Sequence, residues 1–196
     1  MPLLSRIGIV SPDSPAPPIP DGILAADPKA AIVLLAGHDG AAVPLLQARF
    51  AETISADRDR IIFLPWQNFD DYCRLLQLAG VILDPPHFGA GSTCYDIFSY
   101  NQLTVTMPDE LCTGRIAAAF YKKMQIDELI ASSPAEYVAV AVRLGCDRDY
   151  RMTMREKVRA ASPAVFDDLE AVREHERFFT EALARPRGGS AAVAAS

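Results

Sequence analysis

The sequence predicts an α/β fold, with a Rossmann-like parallel sheet flanked by helices and with C-terminal helices. Short, unbroken apolar runs recur along the first half of the chain, and such runs are typical of strands that are buried on both faces. Segments with helical periodicity separate them, which indicates βαβ units with right-handed crossovers. Beyond Met124 the patterns are helical only.

Five apolar runs are predicted to be strands. They consist mainly of Val, Ile and Leu, and they are too short to be helices of ordinary length. The runs are Ile7–Val10, Ala31–Leu35, Ile61–Leu64, Gly80–Leu83 and Leu103–Thr106.

Four helical segments are predicted in the same part of the chain, and one of them has clear start signals. Asn68 is a suitable N-cap, and Asp70 and Asp71 lie in the first turn, where acidic side chains interact favourably with the helix dipole. The segments are Val43–Ala56, Phe69–Ala79, Thr93–Tyr100 and Gly114–Met124, and Ile23–Asp27 is predicted to add one helical turn.

Three further helices are predicted towards the C-terminus. The sequence from Ser133 to Glu136 has the form of a capping box with a proline at the first helical position. Asp147 is placed to cap a second helix. The pair Ser162-Pro163 is predicted to start the third, with an apolar stripe that includes Leu169 and Val172.

The chain is predicted to have three parts. Residues 1–22 form a Pro-rich N-terminal segment, because the prolines between Ser11 and Pro20 exclude a helix or a central strand. Residues 23–184 form the Rossmann-like lobe with its C-terminal helices. Residues 185–196 are rich in Gly, Ser and Ala and are predicted to be a disordered tail.

Composition excludes several classes of function. The formal net charge of −6 and the lack of a basic stripe argue against a nucleic-acid partner. No apolar run approaches the roughly 20 residues that span a bilayer, and no secretory signal is evident, so we expect no membrane partner and a cytoplasmic location. The 4 cysteines include no C-x-x-C pair, and we expect no metal site.

A glycine-rich stretch after the fourth apolar run is the candidate ligand site. In open α/β sheets, ligands bind at the carboxyl ends of strands. Gly91 allows a tight turn, and Ser92 and Thr93 open a helix whose free amides attract an anion such as a diphosphate. Asp96 lies one turn later on the same face as Thr93, at a distance that suits a ribose. The alternative is an ordinary capped helix after a Gly-rich loop.

The order of several segments resembles the O-GlcNAc transferase family, including its TPR-linked bacterial members. The resemblance covers roughly residues 23–159, and the ordered series is more specific than any single motif. It consists of Arg60–Pro65, Leu78–Asp84, the glycine-rich turn through Asp96, Val105–Pro108, Gly114–Ala117 and Asp127–Ala131. It implies the C-terminal catalytic lobe of a GT-B glycosyltransferase, the lobe that holds the UDP-sugar donor.

The resemblance also implies roles for individual residues. Ser92 and Thr93 would contact the donor diphosphate, with Gly91 giving close backbone approach, and Asp96 would bind the ribose. The loop that contains Gln67 would frame the uracil. No residue of this chain is matched to a catalytic base.

The sequence departs from the family pattern at two places. The lysine and base-stacking histidine of the animal enzymes are missing near Tyr72, which is predicted either to stack on the base or to pack in the core. The family's phosphate-facing lysine would fall near residues 10–20, which contain no Lys or Arg. Arg115 either compensates at the donor site or is an ordinary surface charge.

The resemblance implies transfer of a sugar from a UDP-sugar to a protein Ser or Thr hydroxyl, with the UDP-sugar as substrate and no cofactor. A separate chain would supply the N-terminal lobe and the TPR repeats. The alternative is a truncated, catalytically inactive lobe that acts as a binding module or is encoded by a gene fragment.

Overall fold

The computed structural model describes residues 7–10, 19–38, 40–55 and 58–184, and for residues 7–10 it describes the backbone only. The predicted disordered tail, residues 185–196, and most of the Pro-rich segment lie outside the described residues.

All five predicted strands are present, and the last two are shorter than predicted. Thr106, predicted to continue the fifth strand, forms a parallel bridge with Ile130 instead. The strands are β1 (Ile7–Val10), β2 (Ala31–Leu35), β3 (Ile61–Leu64), β4 (Val81–Leu83) and β5 (Thr104–Val105).

The five strands form one parallel sheet in the order β3-β2-β1-β4-β5. β1 is the central strand and pairs with both β2 and β4. β1 thus belongs to the sheet, although it lies within residues 1–22, the predicted Pro-rich segment. The run Ile7–Val10 was too short and too isolated by prolines for its place in the sheet to be read from the sequence.

The described residues contain helices at all the predicted places, with shifted ends. Two of the predicted helix starts are 3₁₀ turns instead, Cys112–Arg115 and Ser162–Val165. The helices are α1 (Ile19–Ala26), α2 (Ala42–Thr53), α3 (Phe69–Leu78), α4 (Thr93–Ser99), α5 (Ile116–Lys123), α6 (Pro134–Cys146), α7 (Arg148–Ala161) and α8 (Leu169–Ala184).

The predicted helix caps are largely confirmed. The side chains of Asn68, Ser133 and Asp147 each accept a hydrogen bond from a backbone amide in the first turn of the following helix. The capping box at α6 is only half formed, because the Glu136 carboxylate accepts hydrogen bonds from the amide and hydroxyl of Ser132 rather than from the amide of Ser133.

Two helix starts differ from the prediction for local reasons. α1 begins at Ile19, so Pro20 lies inside a helix, in the first turn, where a missing amide hydrogen costs no intrahelical bond. At the C-terminus, Asp167 has a φ of 52°, which ends the preceding turn, and α8 starts only at Leu169. From Phe166 onward the chain forms a separate unit, and none of the described side chains of α8 is buried.

The topology assigns helices to two layers. The chain moves from β1 to β2 to β3 and then crosses back to β4 and β5, so right-handed crossovers place α1 and α2 on one face of the sheet and α3 and α4 on the other. α6 packs closely on α1, where a Cβ on Gly22 would lie 2.9 Å from a methyl group of Val138. α5 packs against α4, where Phe98 stacks on Phe120.

The hydroxyl of Tyr121 pairs with the backbone at the outer edge of β5, the last strand of the sheet. The Tyr121 hydroxyl donates to the carbonyl of Thr104 at 2.8 Å and accepts from the amide of Thr104 at 3.0 Å. Both residues are fully buried. A sheet edge needs such partners, because unpaired backbone groups that are shielded from water are costly.

We predict that Tyr121→Phe lowers the free energy of unfolding by about 2 kcal/mol, because it leaves a buried amide and a buried carbonyl without partners. Urea denaturation measures this loss. Tyr150→Phe is the matched control, since the Tyr150 ring packs under the Arg143 guanidinium, a contact that phenylalanine retains. Equal losses in the two variants would contradict the assigned role of the Tyr121 hydroxyl.

Candidate functional site at the loop after β4

The loop between β4 and α4, residues 84–92, lies at the topological switch point of the sheet. The chain runs outward from β1 to β3 and then returns to β4 on the other side of β1. Open parallel sheets bind ligands outside the carboxyl ends of the strands at this point. The predicted position of the glycine-rich loop at a carboxyl strand end is confirmed, and the strand order strengthens the case for a ligand site there.

Asp84 is the buried acidic residue at the start of this loop. Its side chain is only 1% exposed. The amide of Ala90 donates to Asp84 Oδ1 at 2.7 Å, and the hydroxyl of Thr106 donates to Oδ2 at 2.7 Å. Burial raises the pKa of Asp84 to about 6, although the two hydrogen bonds favour the ionised form. Asp84 therefore ties the loop to the neighbouring strand end.

No role was predicted for Asp84, although the register of β4 and β5 indicates its hydrogen-bond partner. Leu83 on β4 is paired with Val105 on β5. Asp84 and Thr106 directly follow these two strands, so the register places their side chains side by side. A carboxylate and a hydroxyl at matching positions after adjacent strands therefore indicate a hydrogen-bonded pair.

Two positions in the loop require glycine, each for a different structural reason. A Cβ on Gly89 would lie 2.9 Å from Asp84 Oδ1 and 2.9 Å from the carbonyl oxygen of Thr113, so only glycine fits there. Gly91 has a φ of 53°, in the left-handed region, and no atom lies within 4 Å of the position of a Cβ. The predicted tight turn at Gly91 is thus confirmed, and its outer side is open.

The prediction of free amides at the start of α4 is wrong for the helix itself. The amides of Thr93, Cys94 and Tyr95 donate to the carbonyls three residues earlier, at 2.9 to 3.1 Å. A tight turn before the helix supplies those carbonyls. The hydroxyl side chains of Ser92 and Thr93 are therefore the groups that α4 offers to a ligand.

The faces of α4 divide as predicted. Cys94, Ile97 and Phe98 are completely buried. Thr93 and Asp96 are partly exposed on the other side. The predicted pair of a hydroxyl and a carboxylate one turn apart is therefore present and accessible.

Tyr72 of α3 lies beside this pair. Burial and the nearby Asp96 carboxylate raise the pKa of Tyr72 to about 12. The Thr93 hydroxyl partly offsets that rise, but its approach falls short of a hydrogen bond, and the buried Tyr72 hydroxyl has no partner among the described residues. The structure thus brings Tyr72, Thr93 and Asp96 together, and it leaves one buried donor available.

Gln67 is not part of this cluster. Its side-chain amide donates to the carbonyl of Pro65 at 2.8 Å, in the loop after β3. β3 and β4 are separated by two strands, so their ends lie roughly 14 Å apart along the sheet edge. Trp66, in the same loop, is 54% exposed, and its ring centroid lies 5.1 Å from that of His38.

The loop after β5 holds the loop after β4 in place. Asp109 Oδ2 lies 2.5 Å from Nδ1 of His87, and this contact holds the pKa of Asp109 below its ordinary value. The Gly89 amide donates to the carbonyl of Thr113 at 3.2 Å. A Cβ on Gly114 would lie 2.2 Å from the carbonyl oxygen of Pro86. The two loops therefore form one structural unit.

Arg115 ends the 3₁₀ turn of this second loop, and its side chain is exposed. Its positive charge helps to keep the pKa of Asp109 low. The structure places Arg115 on the same edge of the sheet as the glycine-rich turn, and its predicted role at the donor site stays a prediction.

Other features of the described residues lie away from this loop. A small apolar cavity of about 20 Å³ lies between α1, α6 and the sheet, beside Asp27, and it is too small for a nucleotide. Within residues 19–38, 40–55 and 58–184, no group of three or more His, Cys, Asp or Glu residues is placed to hold a metal ion. No helix in the described part of the chain is long and apolar enough to cross a membrane.

Comparison with known proteins agrees with this geometry. The model of a protein family described as "Glycosyl transferase family 41" matches residues 22–170. The UDP-N-acetylglucosamine--peptide N-acetylglucosaminyltransferase of Caenorhabditis elegans is 34% identical over 135 residues, which are 68% of this chain and 12% of that relative. The chain therefore spans only a small part of the curated relative's length.

Solved structures show the same fold. A mutant O-GlcNAc transferase from Thermobaculum terrenum superimposes with a TM-score of 0.73 and 20% identity, over 89% of this chain and 35% of that chain. An α,α-trehalose 6-phosphate synthase from Burkholderia multivorans gives a TM-score of 0.56 and 14% identity, over 95% of this chain and 46% of that chain. At these identities the likeness shows the fold, and it confirms the predicted GT-B type of lobe.

We predict that Gly114→Ala lowers the free energy of unfolding by about 3 kcal/mol, because the new methyl group would overlap the carbonyl oxygen of Pro86 and push the two loops apart. Gly40→Ala is the control. Gly40 has a φ of 65° but no neighbour within 4 Å, so alanine there costs only about 1 kcal/mol of backbone strain. Urea denaturation compares the two, and an equal loss would show that the loops are not held by this contact.

Proposed function

Because the chain belongs to glycosyl transferase family 41, we propose that it is the donor-binding lobe of a glycosyltransferase and that its ligand is a UDP-sugar. The observation that carries this proposal is the loop after β4. It lies within the matched residues and at the switch point, and together with the first turn of α4 it presents two hydroxyls and a carboxylate on an open face.

In the proposed complex, the hydroxyls of Ser92 and Thr93 donate hydrogen bonds to the diphosphate. Asp96, one turn later, accepts hydrogen bonds from the ribose hydroxyls. Gly91 has no side chain, so the backbone of the turn can approach the phosphates closely. The open space at the position that a Cβ of Gly91 would occupy supports this arrangement.

The uracil is proposed to lie between the loop after β3 and α3. Gln67 offers an amide that can bind a base edge, and Tyr72 offers an aromatic ring next to Asp96. The unpartnered hydroxyl of Tyr72 supports a ligand contact at this position, because buried hydroxyls normally have a hydrogen-bond partner.

The proposed reaction transfers the sugar to an acceptor hydroxyl. The acceptor oxygen forms a bond to the anomeric carbon while the bond from that carbon to the diphosphate oxygen breaks, and UDP leaves with the bonding electrons. Negative charge therefore grows on the diphosphate, where Ser92, Thr93 and Arg115 stabilise it. The residue that takes the acceptor proton is not assigned to this chain.

We propose that the acceptor is a protein Ser or Thr hydroxyl and that a second lobe completes the cleft. The curated relative is named as a peptide N-acetylglucosaminyltransferase, and the matched region is 12% of its length. A partner chain that carries the second lobe and TPR repeats would supply the acceptor surface. The alternative, a lobe that binds UDP but supports no transfer, predicts binding without product when that second lobe is added.

We predict that Thr93→Ala weakens binding of UDP ten- to a hundred-fold, because a hydrogen bond to a charged phosphate contributes about 1.5 to 3 kcal/mol. Ser92→Ala is expected to act in the same direction. Isothermal titration calorimetry with UDP measures the dissociation constant.

Ser99→Ala is the matched control for these variants. Ser99 is an exposed hydroxyl at the far end of α4, where it donates to the carbonyl of Asp96 at 2.8 Å, and its loss should leave UDP affinity unchanged. A wild-type chain that binds no UDP at millimolar concentration would remove the basis for the proposed function.

A further inference from the structure

Asp84 determines where the glycine-rich turn begins. Its Oδ1 accepts the amide of Ala90, which lies two residues before Ser92. Gly89 packs directly on the same oxygen, where its Cβ would lie 2.9 Å away. A change at Asp84 therefore moves the turn that carries the proposed diphosphate contacts.

No positively charged residue in the described part of the chain acts on the pKa of Asp84. Its hydrogen-bond donors are the neutral amide of Ala90 and the neutral hydroxyl of Thr106. The titratable side chains that face it from the helices are Cys94 on α4, Tyr121 on α5 and Tyr137 on α6. Residues 11–18, which lie outside the described part, contain one acidic residue, Asp13, and no Lys, Arg or His.

We infer that Asp84 is a positioning residue for the proposed donor site, and that it holds the loop as a neutral carboxylic acid whenever the donor diphosphate is bound. This inference rests on the proposed function, because it requires an anionic ligand on Ser92 and Thr93.

The neutral form of Asp84 can keep both of its contacts. A carboxylic acid retains a carbonyl oxygen that accepts the amide of Ala90, and its O–H can donate to the hydroxyl of Thr106, which accepts as readily as it donates. The loop geometry therefore does not require the negative charge. Proteins use neutral buried carboxylic acids as hydrogen-bonding groups in this way.

A bound diphosphate favours the neutral form. Like charges near a carboxylate disfavour its ionisation, and in the proposed complex the phosphates lie on Ser92 and Thr93, next to the turn whose Ala90 amide donates to Asp84. The Asp84 side chain is buried, so water screens it poorly from that charge. The free chain already has a raised pKa of about 6 at Asp84, because of burial. Donor binding raises that pKa further, so one proton passes from solvent to Asp84 as the donor binds.

Proton uptake makes donor affinity depend on pH in a defined direction. Above about pH 6 the free carboxylate is ionised, so binding takes up a proton and affinity falls as pH rises, by at most about tenfold for each pH unit. Below about pH 6 the carboxyl is already neutral in the free chain, and affinity reaches a plateau.

The test uses UDP-N-acetylglucosamine, whose diphosphate is esterified at both ends and lacks the monoester ionisation near about pH 6. Titration calorimetry in buffers of different ionisation enthalpy, between about pH 5.5 and about pH 8, counts the protons taken up by the full chain. We expect uptake by wild type above about pH 6. If the wild-type chain binds the donor without taking up a proton, this inference is overturned and the proposed function is not.

Variants assign the proton to a residue. Asp84→Asn keeps an acceptor for the Ala90 amide and a donor for Thr106, so it should bind with the wild-type low-pH affinity at every pH and take up no proton. Asp84→Ala loses both contacts and should bind more weakly throughout. His87→Gln removes the imidazole that contacts Asp109 in the same loop and should retain the uptake.

Two further outcomes count against the inference. Uptake that persists in Asp84→Asn and disappears in His87→Gln would assign the proton to His87 and overturn it. A wild-type chain that binds neither UDP nor UDP-N-acetylglucosamine at any pH overturns the proposed function, and this inference with it.

Discussion

The buried carboxylate of Asp84 is the group on which the arrangement of the carboxyl edge depends. Its side chain holds the turn through Ala90 and the next strand end through Thr106, and the hydroxyl of Tyr137 on α6 donates to the backbone carbonyl oxygen of Asp84 at 3.1 Å. Burying a carboxylate is costly unless hydrogen bonds compensate, and the bonds from the Ala90 amide and the Thr106 hydroxyl supply that compensation. The loop, two strands and a helix thus share one polar centre.

The contacts that hold the two loops together differ in what they contribute. The pair His87 and Asp109 is partly open to solvent, with the His87 side chain 48% exposed, so its contribution to stability is small. The close packing of Gly114 on Pro86 lies in the buried part of the same interface. A rigid inner contact with a polar outer one keeps the hydroxyls of α4 in a fixed place, which is what a preorganised anion site requires.

Local signals predicted the strands and most helix caps, because a short apolar run and an Asn or Asp before a helix depend on few neighbours. Non-local features were not predicted. The role of β1 depends on partners far along the chain, and the partner of Asp84 becomes visible only once the register of β4 and β5 is known. The amides of α4 were misjudged because the tight turn before the helix supplies their acceptors. The roles of Gln67 and Arg115 stay predictions.

The lack of a phosphate-facing lysine and the proposed neutralisation of Asp84 both affect how the site offsets the negative charge of a diphosphate. The family resemblance implies a cation near residues 10–20, and this sequence has none there. A site can offset the charge of a diphosphate by adding a positive group or by removing a negative one, and both changes act in the same direction on the ligand. Asp84 removes a charge only when the ligand is present, so the loop keeps its hydrogen bonds in either state. In the proposed donor complex, the missing lysine and the buried aspartate therefore act together to limit the net charge around the diphosphate.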